Sequence, residues 1–483
     1  MLTKRNLLYL TIAVEGYVVL ATELVAMRTL IPFVGSGTEV VAIVISAVLL
    51  PLALGYHSGG TRFQQQFKRT GEKLSVRRLL LKNILASLLV LTFGLSYVVQ
   101  RRFFAGLDAI GVQHYLAQTA LFCVVFLVWP VYLLAQTIPL LSNFFSSGHL
   151  SQSTGRMLFF SSVGSFGGSV FSTLVLMSLL GVHATLVVTL ALLACVFFLL
   201  TKRRYAGPNA AVVAVLAAAA LFNSPPIMDS FGIVSNNQYS MIQIFDQTTP
   251  RPDGDEHWKI MTINSRDVRN GAMSSAYGDK GGKLPAHAFI EKSLLPRDGS
   301  GRRPLDVLVL GAAGFALGLR DETNRFTFVD IDPSLKDVAE KHFLPGPLQP
   351  NKSFVPMSAR AFLRADARSY DLIVVDVFTN TLSIPQEVVT KEFLQEAKAK
   401  LRAGGVVVSN LVSSPDYRDA FSVRYQNTFE QVFPHSSRQI VGDFNVWNAQ
   451  EEPTTTMFLY FDRPYVADAG LYTDDKNRFS LDR

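Results

Sequence analysis

The sequence predicts a multi-span α-helical membrane domain followed by α/β structure: a small antiparallel β-domain, then a doubly wound parallel sheet. Three observations predict it. The mean hydropathy of +0.26 is apolar for a chain whose isoelectric point is near 9.2. The basic charge is confined to the apolar half, where residues 1–225 hold 16 Lys and Arg against 5 Asp and Glu, while residues 226–483 hold 29 against 33. Beyond residue 284, short apolar runs alternate with helix-length segments, as strands joined by crossover helices do. The net charge of +7 therefore belongs to loops between membrane spans, and no nucleic-acid partner is expected. The chain divides at 1–225, 226–283 and 284–483.

A spanning helix needs about 20 mostly apolar residues. Such stretches run over 6–32, 38–58, 79–99, 115–142, 157–180 and 183–201, with a weaker Ala-rich one at 208–223. Seven spans is the better count, and six stays open. The first stretch is too long for a signal-peptide core, so no cleavable leader is expected. With the N-terminus inside, the inner segments hold Lys4, Arg5, Arg62, Lys68, Arg69, Lys73, Arg77, Arg78, Lys82, Arg156, Lys202, Arg203 and Arg204. Only Arg101 and Arg102 then lie outside. This balance predicts a multi-pass protein of a bacterial inner (cytoplasmic) membrane, its N-terminus cytoplasmic. Seven spans put residues 226–483 outside, whereas six, with 208–223 lying in the interface, keep them inside.

Four ionisable residues, Glu15, Glu23, Arg28 and Glu39, fall within the first two stretches. Charge at membrane depth is costly unless paired, protonated or hydrated. They either pair between helices and fix the packing or mark a functional pathway, and no internal repeat supports a transporter. Gly164, Gly167 and Gly168 predict close helix–helix contact. Pro130 and Pro139 predict kinks. Cys123 and Cys195 both sit in apolar segments, so neither a disulfide framework nor a cysteine metal site is expected.

In the polar half, alternating runs at 239–245 and 258–263 predict two strands of a small antiparallel sheet, joined by a Pro-, Gly- and Asp-rich loop. Strands follow at 307–310, 326–332, 353–357, 372–377 and 406–411, with late ones at 439–444 and 456–461. Helices are expected at 333–343, 359–365, 386–401 and 417–433. Pro333 suits a helix start, and Gly404-Gly405 a helix stop. Ligands of such sheets sit at the carboxyl ends of the strands. There Gly311 and Gly314 give a turn that a ligand can approach closely, Asp330 is placed to accept hydrogen bonds from ribose hydroxyls, and Asp376 ends the fourth strand beside them. The three in register point to nucleoside binding.

These residues resemble the spermidine/spermine synthase (polyamine aminopropyltransferase) family, in its membrane-spanning branch. The resemblance covers about 225 residues. It rests on Asn237-Gln238-Tyr239-Ser240, Val307-Leu308-Val309-Leu310-Gly311, Val329-Asp330-Ile331-Asp332-Pro333, Tyr370 to Asp376, Ile384-Pro385 and Thr390-Lys391-Glu392-Phe393. It implies a small β-domain followed by a Rossmann-like methyltransferase-type domain. The implied reaction moves an aminopropyl group from decarboxylated S-adenosylmethionine to an amine; the donor, or S-adenosylmethionine itself, is a co-substrate rather than a permanently bound cofactor. By the same resemblance Asp330 with Ile331, Ser358 and Ala359 holds the donor, and Tyr239 and Asp376 face the amine.

The chain departs from the family at several of these positions. The acidic Gly-Gly-Asp-Gly turn reads Ala313-Gly314-Phe315, the adenine-binding acid is Ser358, and the second Asp of the active-site loop, the general base, falls on Thr379. The Tyr-His-Glu helix motif keeps only His287. A protonated amine must lose a proton before it attacks, and Thr379 cannot take it near neutral pH, so His287 or a tyrosine would have to. Two readings follow. One is a membrane-anchored transferase acting on a polyamine or membrane-associated amine. The other is a noncatalytic binding or assembly module, with a homodimer or membrane complex as its setting.

Overall fold

The computed structural model describes residues 4–70, 75–142, 150–201, 206–265, 274–295, 303–379, 384–415, 419–441 and 454–463. The expected cations Lys73 and 202–204 lie outside them. Two units emerge. The first joins Met1–Gly282 with Ser334–Pro347 and Phe378–Ile384; the second joins Lys283–Pro333, Leu348–Val377 and Pro385–Arg483.

Among the described residues of the first unit, four helices are long and apolar enough to cross a membrane: Arg5–Val34, Thr38–Thr61, Tyr115–Ser142 and Gln152–Leu200. A fifth candidate is the pair Val76–Gly94 and Tyr97–Ala109, bent by 69°. A straight helix the length of Gln152–Leu200 would run to about 74 Å, more than twice the hydrocarbon thickness of roughly 30 Å. Gly181, at φ +80° and ψ 171°, breaks it where the expected fifth and sixth spans meet. Ala206–Phe222 follows with 17 residues, at the short limit for a span. Pro130 stands just after a widened π-turn at Val124–Val128, which absorbs its missing N–H.

Close packing centres on the first helix. A Cβ at Gly164 would overlap the carbonyl oxygen of Ala13, and one at Gly168 that of Tyr17. Gly167 differs, since its Cβ would meet only the Tyr17 ring at an ordinary 3.7 Å. The expected pairing among the four ionisable residues does not form. Among the described residues no ion pair joins Glu15, Glu23 or Glu39 to a cation. Glu15 is buried, Glu23 half-buried, and Glu39 exposed in the first turn of its helix, where the helix dipole favours an acid. Arg28 turns instead to the small sheet: its Nε donates to Asn237 O (2.8 Å) and its Nη2 to Asn264 Oδ1 (3.1 Å).

That sheet has four antiparallel strands in the order β1-β2-β3-β4: Ile233–Asn236, Met241–Thr249, Glu256–Ile263 and Ser275–Gly278. The two expected strands are β2 and β3; the other two, four residues each, are too short for a periodic signal. Further ties fix the helix ends that meet the sheet. Gln243 Nε2 donates to Tyr97 Oη at 3.3 Å. Asn236 Nδ2 donates to His183 Nε2 at 2.8 Å, and His183 Nδ1 donates to Asn223 Oδ1 at 3.2 Å. Arg28, Tyr97, His183 and Asn223 therefore mark one end of the helices. Lys4 and Arg5, and Arg77 and Arg78, sit at the opposite ends of the first and third. Between Lys4 and Arg28 the helix rises about 36 Å.

The second unit holds a seven-stranded sheet of order β10-β11-β9-β8-β5-β6-β7. Its strands are β5 (Asp306–Leu310), β6 (Arg325–Asp330), β7 (Lys352–Pro356), β8 (Tyr370–Val375), β9 (Leu401–Ser413), β10 (Ser437–Ile440) and β11 (Thr454–Phe461). The strands β9-β8-β5-β6-β7 run parallel. Every residue of β8 is buried, as a strand covered on both faces requires. The sheet is mixed rather than wholly parallel, because β11 lies antiparallel to both β9 and β10. No described helix separates β10 from β11, and only antiparallel neighbours can do without a crossover.

The helices shift as well. Lys391–Ala399 ends before β9, so Gly404-Gly405 lies inside that strand, Gly404 at φ +76°. Asp419 caps Ala420–Val432; residues 417 and 442–444, expected in helix and strand, lie outside the described residues.

Candidate functional site

The chain leaves β5 toward β6 on one side and returns as β8 on the other, so the switch point of the doubly wound sheet falls between β5 and β8. Gly311 closes β5 at φ +94°. A Cβ there would overlap the carbonyl oxygen of Asp376. Backbone bonds lock the junction: Gly311 N donates to Val329 O and Asp376 N to Leu310 O, each at 2.8 Å. Only glycine meets both the dihedral and the space.

The turn that follows is built for the core rather than for charge. Ala313 and Phe315 both adopt positive φ, 41° and 57°, unusual for residues with a Cβ. Phe315 is fully buried and sits edge-on to Phe328 and Phe354, with centroids 5.2 and 5.4 Å away. Burial of the ring offsets the strained dihedral. Gly314 is buried too.

Asp330 ends β6 with both oxygens engaged by backbone: Oδ2 accepts from Ala312 N and Oδ1 from Asp332 N, each at 3.1 Å. Each oxygen keeps a lone pair for a hydroxyl donor. Burial pushes its carboxyl up to about 6; the neighbouring Asp332 adds to the rise, and the backbone N–H donors oppose it. Beside it, Met357 N donates to Asp330 O at 2.8 Å, joining the ends of β6 and β7. Two apolar side chains stand exposed at those ends, Ile331 (54%) and Met357 (36%), as an aromatic base would need for stacking. Ser358 caps the helix Ala359–Ala365, its Oγ accepting from Ala361 N at 3.3 Å, and Ala359 is buried beneath.

Asp376 follows β8. Its Oδ1 accepts from Asn410 Nδ2 at 2.9 Å, and its Oδ2 lies 3.8 Å from His287 Nε2. His287 stands in the first turn of the helix Pro285–Ser293 and is 6% exposed. Its Nδ1 and Asn410 Oδ1 are buried, with no hydrogen-bond partner among the described residues. Two orphaned polar atoms around one carboxylate are uncommon in a settled core. The structure thus brings Gly311, Asp330, Ser358, Asp376 and His287 to one end of the second unit's sheet. Tyr239 and Thr379 belong to the first unit. Tyr239 is 38% exposed, with its backbone N held by Asn237 Oδ1 at 2.7 Å; Thr379 offers its carbonyl to Asn264 Nδ2 at 2.9 Å. Sequence reasoning missed Asn410, whose one signal was an amide next to Ser409 in the mostly apolar run 406–412.

A mixed doubly wound sheet with acids closing two strands beside its switch point defines a Rossmann-like α/β domain with a candidate ligand crevice at that end. Sequence comparison narrows this. A polyamine aminopropyltransferase of Vibrio vulnificus (strain CMCP6) is 30% identical over 138 residues, 27% of this chain and 46% of that protein. Polyamine aminopropyltransferase 2 of Pseudomonas aeruginosa is 27% identical over 187 residues, 36% of this chain and 52% of that protein. The chain spans about half the length of these relatives, and it is related through that stretch to the spermidine synthase family. No protein-family model matches the chain. Among solved structures, a probable spermidine synthase from Corynebacterium glutamicum ATCC 13032 is similar at 20% identity and TM-score 0.37, covering 48% of this chain and 81% of that one.

Proposed function

We propose that the second unit binds an adenosyl nucleoside of the S-adenosylmethionine type and transfers an alkyl group from it to a small amine. The observation that carries this reading is the pair of carboxylates, Asp330 and Asp376, closing β6 and β8 on either side of Gly311 in a chain related to aminopropyltransferases. Asp330 would accept from the ribose, with Ile331 and Met357 flanking the base and Ser358 offering a hydroxyl. Asp376, held by Asn410, would attract the amine. In the transfer, nitrogen forms a bond to the carbon next to the sulfonium while the carbon–sulfur bond breaks. Sulfur keeps the electron pair and leaves as a neutral thioether. The amine's proton goes to the Asp376–His287 pair, since Thr379 is no base at neutral pH.

The test is product formation by the full chain in detergent, with each donor form and a panel of amines, read by mass spectrometry. Methylthioadenosine or S-adenosylhomocysteine should appear, and Asp376→Asn should cut its rate at least a hundredfold. No nucleoside product from either donor with any amine would defeat the reading.

The helix ends favour a second reading, in which residues 226–483 are an extracytoplasmic binding or assembly module on a seven-span anchor. The small sheet adjoins the ends opposite Lys4, Arg5, Arg77 and Arg78, and those cations favour the cytoplasmic side. After Phe222 none of the described helices is long and apolar enough to bring the chain back. An adenosyl donor made in the cytosol would not reach such a domain, which agrees with the missing acids at Gly314, Ser358 and Thr379. Reporters fused after Arg483 separate the readings: alkaline phosphatase activity supports this one, and green fluorescence in the cytoplasm overturns it.

A further inference from the structure

Arg28 is 6% exposed and Asn264 4%, and the two carry a set of hydrogen bonds that leads out of the helical bundle. One guanidinium reaches two asparagines of the small sheet. Its Nε donates to the carbonyl of Asn237 at 2.8 Å and its Nη2 to Asn264 Oδ1 at 3.1 Å. Both asparagines are themselves well fixed. Asn237 Oδ1 accepts from Tyr239 N and Ser240 N, at 2.7 and 2.9 Å. Asn264 Oδ1 also accepts from Met241 N at 2.8 Å, and its backbone sits at φ +50°, a conformation that asparagine and aspartate tolerate better than other side chains.

Each asparagine then spends its amide N–H on a loop. Asn237 Nδ2 donates to Ser334 Oγ at 2.9 Å, and Asn264 Nδ2 donates to Thr379 O at 2.9 Å. Ser334 and Thr379 fall in the segments Ser334–Pro347 and Phe378–Ile384 of the first unit. In the chain, Ser334 stands four residues after Asp330, and Thr379 three after Asp376. We infer that Arg28 is a positioning residue: through Asn237 and Asn264 it ties a membrane helix to the two loops that follow the candidate ribose-binding and amine-binding carboxylates.

The chemistry of the links explains why these residue types are present. A guanidinium presents divergent N–H groups in one rigid plane and so can serve two acceptors at fixed angles; an ammonium cannot reproduce that fork. A side-chain amide is a donor and an acceptor at once, so Asn264 receives from Arg28 on Oδ1 and gives to a loop through Nδ2, while Asn237 receives from Arg28 on its backbone carbonyl and gives to a loop through Nδ2. The position of an arginine six residues before the end of a helix that otherwise reads as a span is then accounted for by the sheet it grips.

The inference draws on the transferase reading only for what the two carboxylates do; the ties themselves do not depend on it, and the test has an arm for each. Asn264→Asp keeps the oxygen that accepts from Arg28 and Met241 and keeps a residue suited to φ +50°, but replaces the donor to Thr379 with an oxygen. Arg28→Lys keeps the charge and loses the fork. In the full chain in detergent, hydrogen exchange should rise at least tenfold in the peptide carrying Thr379 for both variants, while β5 and β8 exchange as before. The peptide carrying Ser334 should respond to Arg28→Lys and not to Asn264→Asp. Unchanged exchange at Thr379 in a folded Asn264→Asp protein overturns the inference, whether or not Arg28→Lys folds. Where the wild type turns over an amine, Asn264→Asp should raise the amine KM more than it lowers kcat; loss of kcat alone overturns it equally. A wild type that binds no nucleoside would count against the transferase reading and leave the exchange arm to decide this one.

Discussion

Asp330 holds its charge against its surroundings. Its carboxyl is raised from 3.8 to about 6 by burial, so the folded protein binds that proton more tightly than the unfolded chain does. The stability it contributes is complete below about pH 4 and is lost as pH rises through 6, a change of roughly 3 kcal/mol at most. The difference in melting temperature between Asp330→Asn and wild type should therefore move in the variant's favour from pH 4 to pH 7; a difference constant with pH would contradict this. Ligand binding should show the opposite face of the same titration. A ribose hydroxyl donates to the carboxylate, so nucleoside affinity should hold above pH 7 and weaken up to tenfold per unit below 6. At Gly311, alanine would need both a left-handed backbone and space taken by the Asp376 carbonyl. Gly311→Ala should cost at least about 2 kcal/mol, read as a drop in the unfolding midpoint of the full chain. Gly311, Asp330 and Asp376 were legible because each ends an apolar run. Asn410 and the placing of His287 beside Asp376 were not, since they reach Asp376 from 34 and 89 residues away and leave no local spacing to read.

Elements were legible where their length exceeded one period. The five central strands and the first two helices stand close to where hydrophobic pattern puts them. What escaped is short, or decided by pairing. Strands β1 and β4 have four residues each, and the direction of β11 follows from its neighbours rather than from its own side chains. Within the bundle, small residues signalled a close contact but not which of three glycines makes it. The geometry discriminates them. Gly164→Leu or Gly168→Leu must push the first helix away from its partner and should lower the melting temperature in detergent by several degrees. Gly167→Ala, which meets only a ring edge at van der Waals distance, should leave it within about a degree. Equal loss at all three positions would mean that the helix pair does not pack as described.

At the scale of the whole molecule, the global charge was less informative than its division. Cations cluster at one set of helix ends, and the small sheet adjoins the other set. That arrangement follows from Arg28, Tyr97 and His183 reaching the sheet, contacts that join residues up to 236 positions apart and that no reading of hydropathy could supply. It also bears on the six-or-seven question, because Gly181 divides a 49-residue helix and Ala206–Phe222 returns the chain toward the sheet. The account as a whole turns on whether the crevice at Gly311, Asp330 and Asp376 takes an adenosyl nucleoside. Isothermal titration of the purified full chain with methylthioadenosine, S-adenosylmethionine and its decarboxylated form tests this most directly. The account predicts saturable one-site binding of methylthioadenosine at pH 7.5, weakened at least tenfold by Asp330→Ala. No heat of binding at millimolar nucleoside, or binding indifferent to Asp330→Ala, would contradict it.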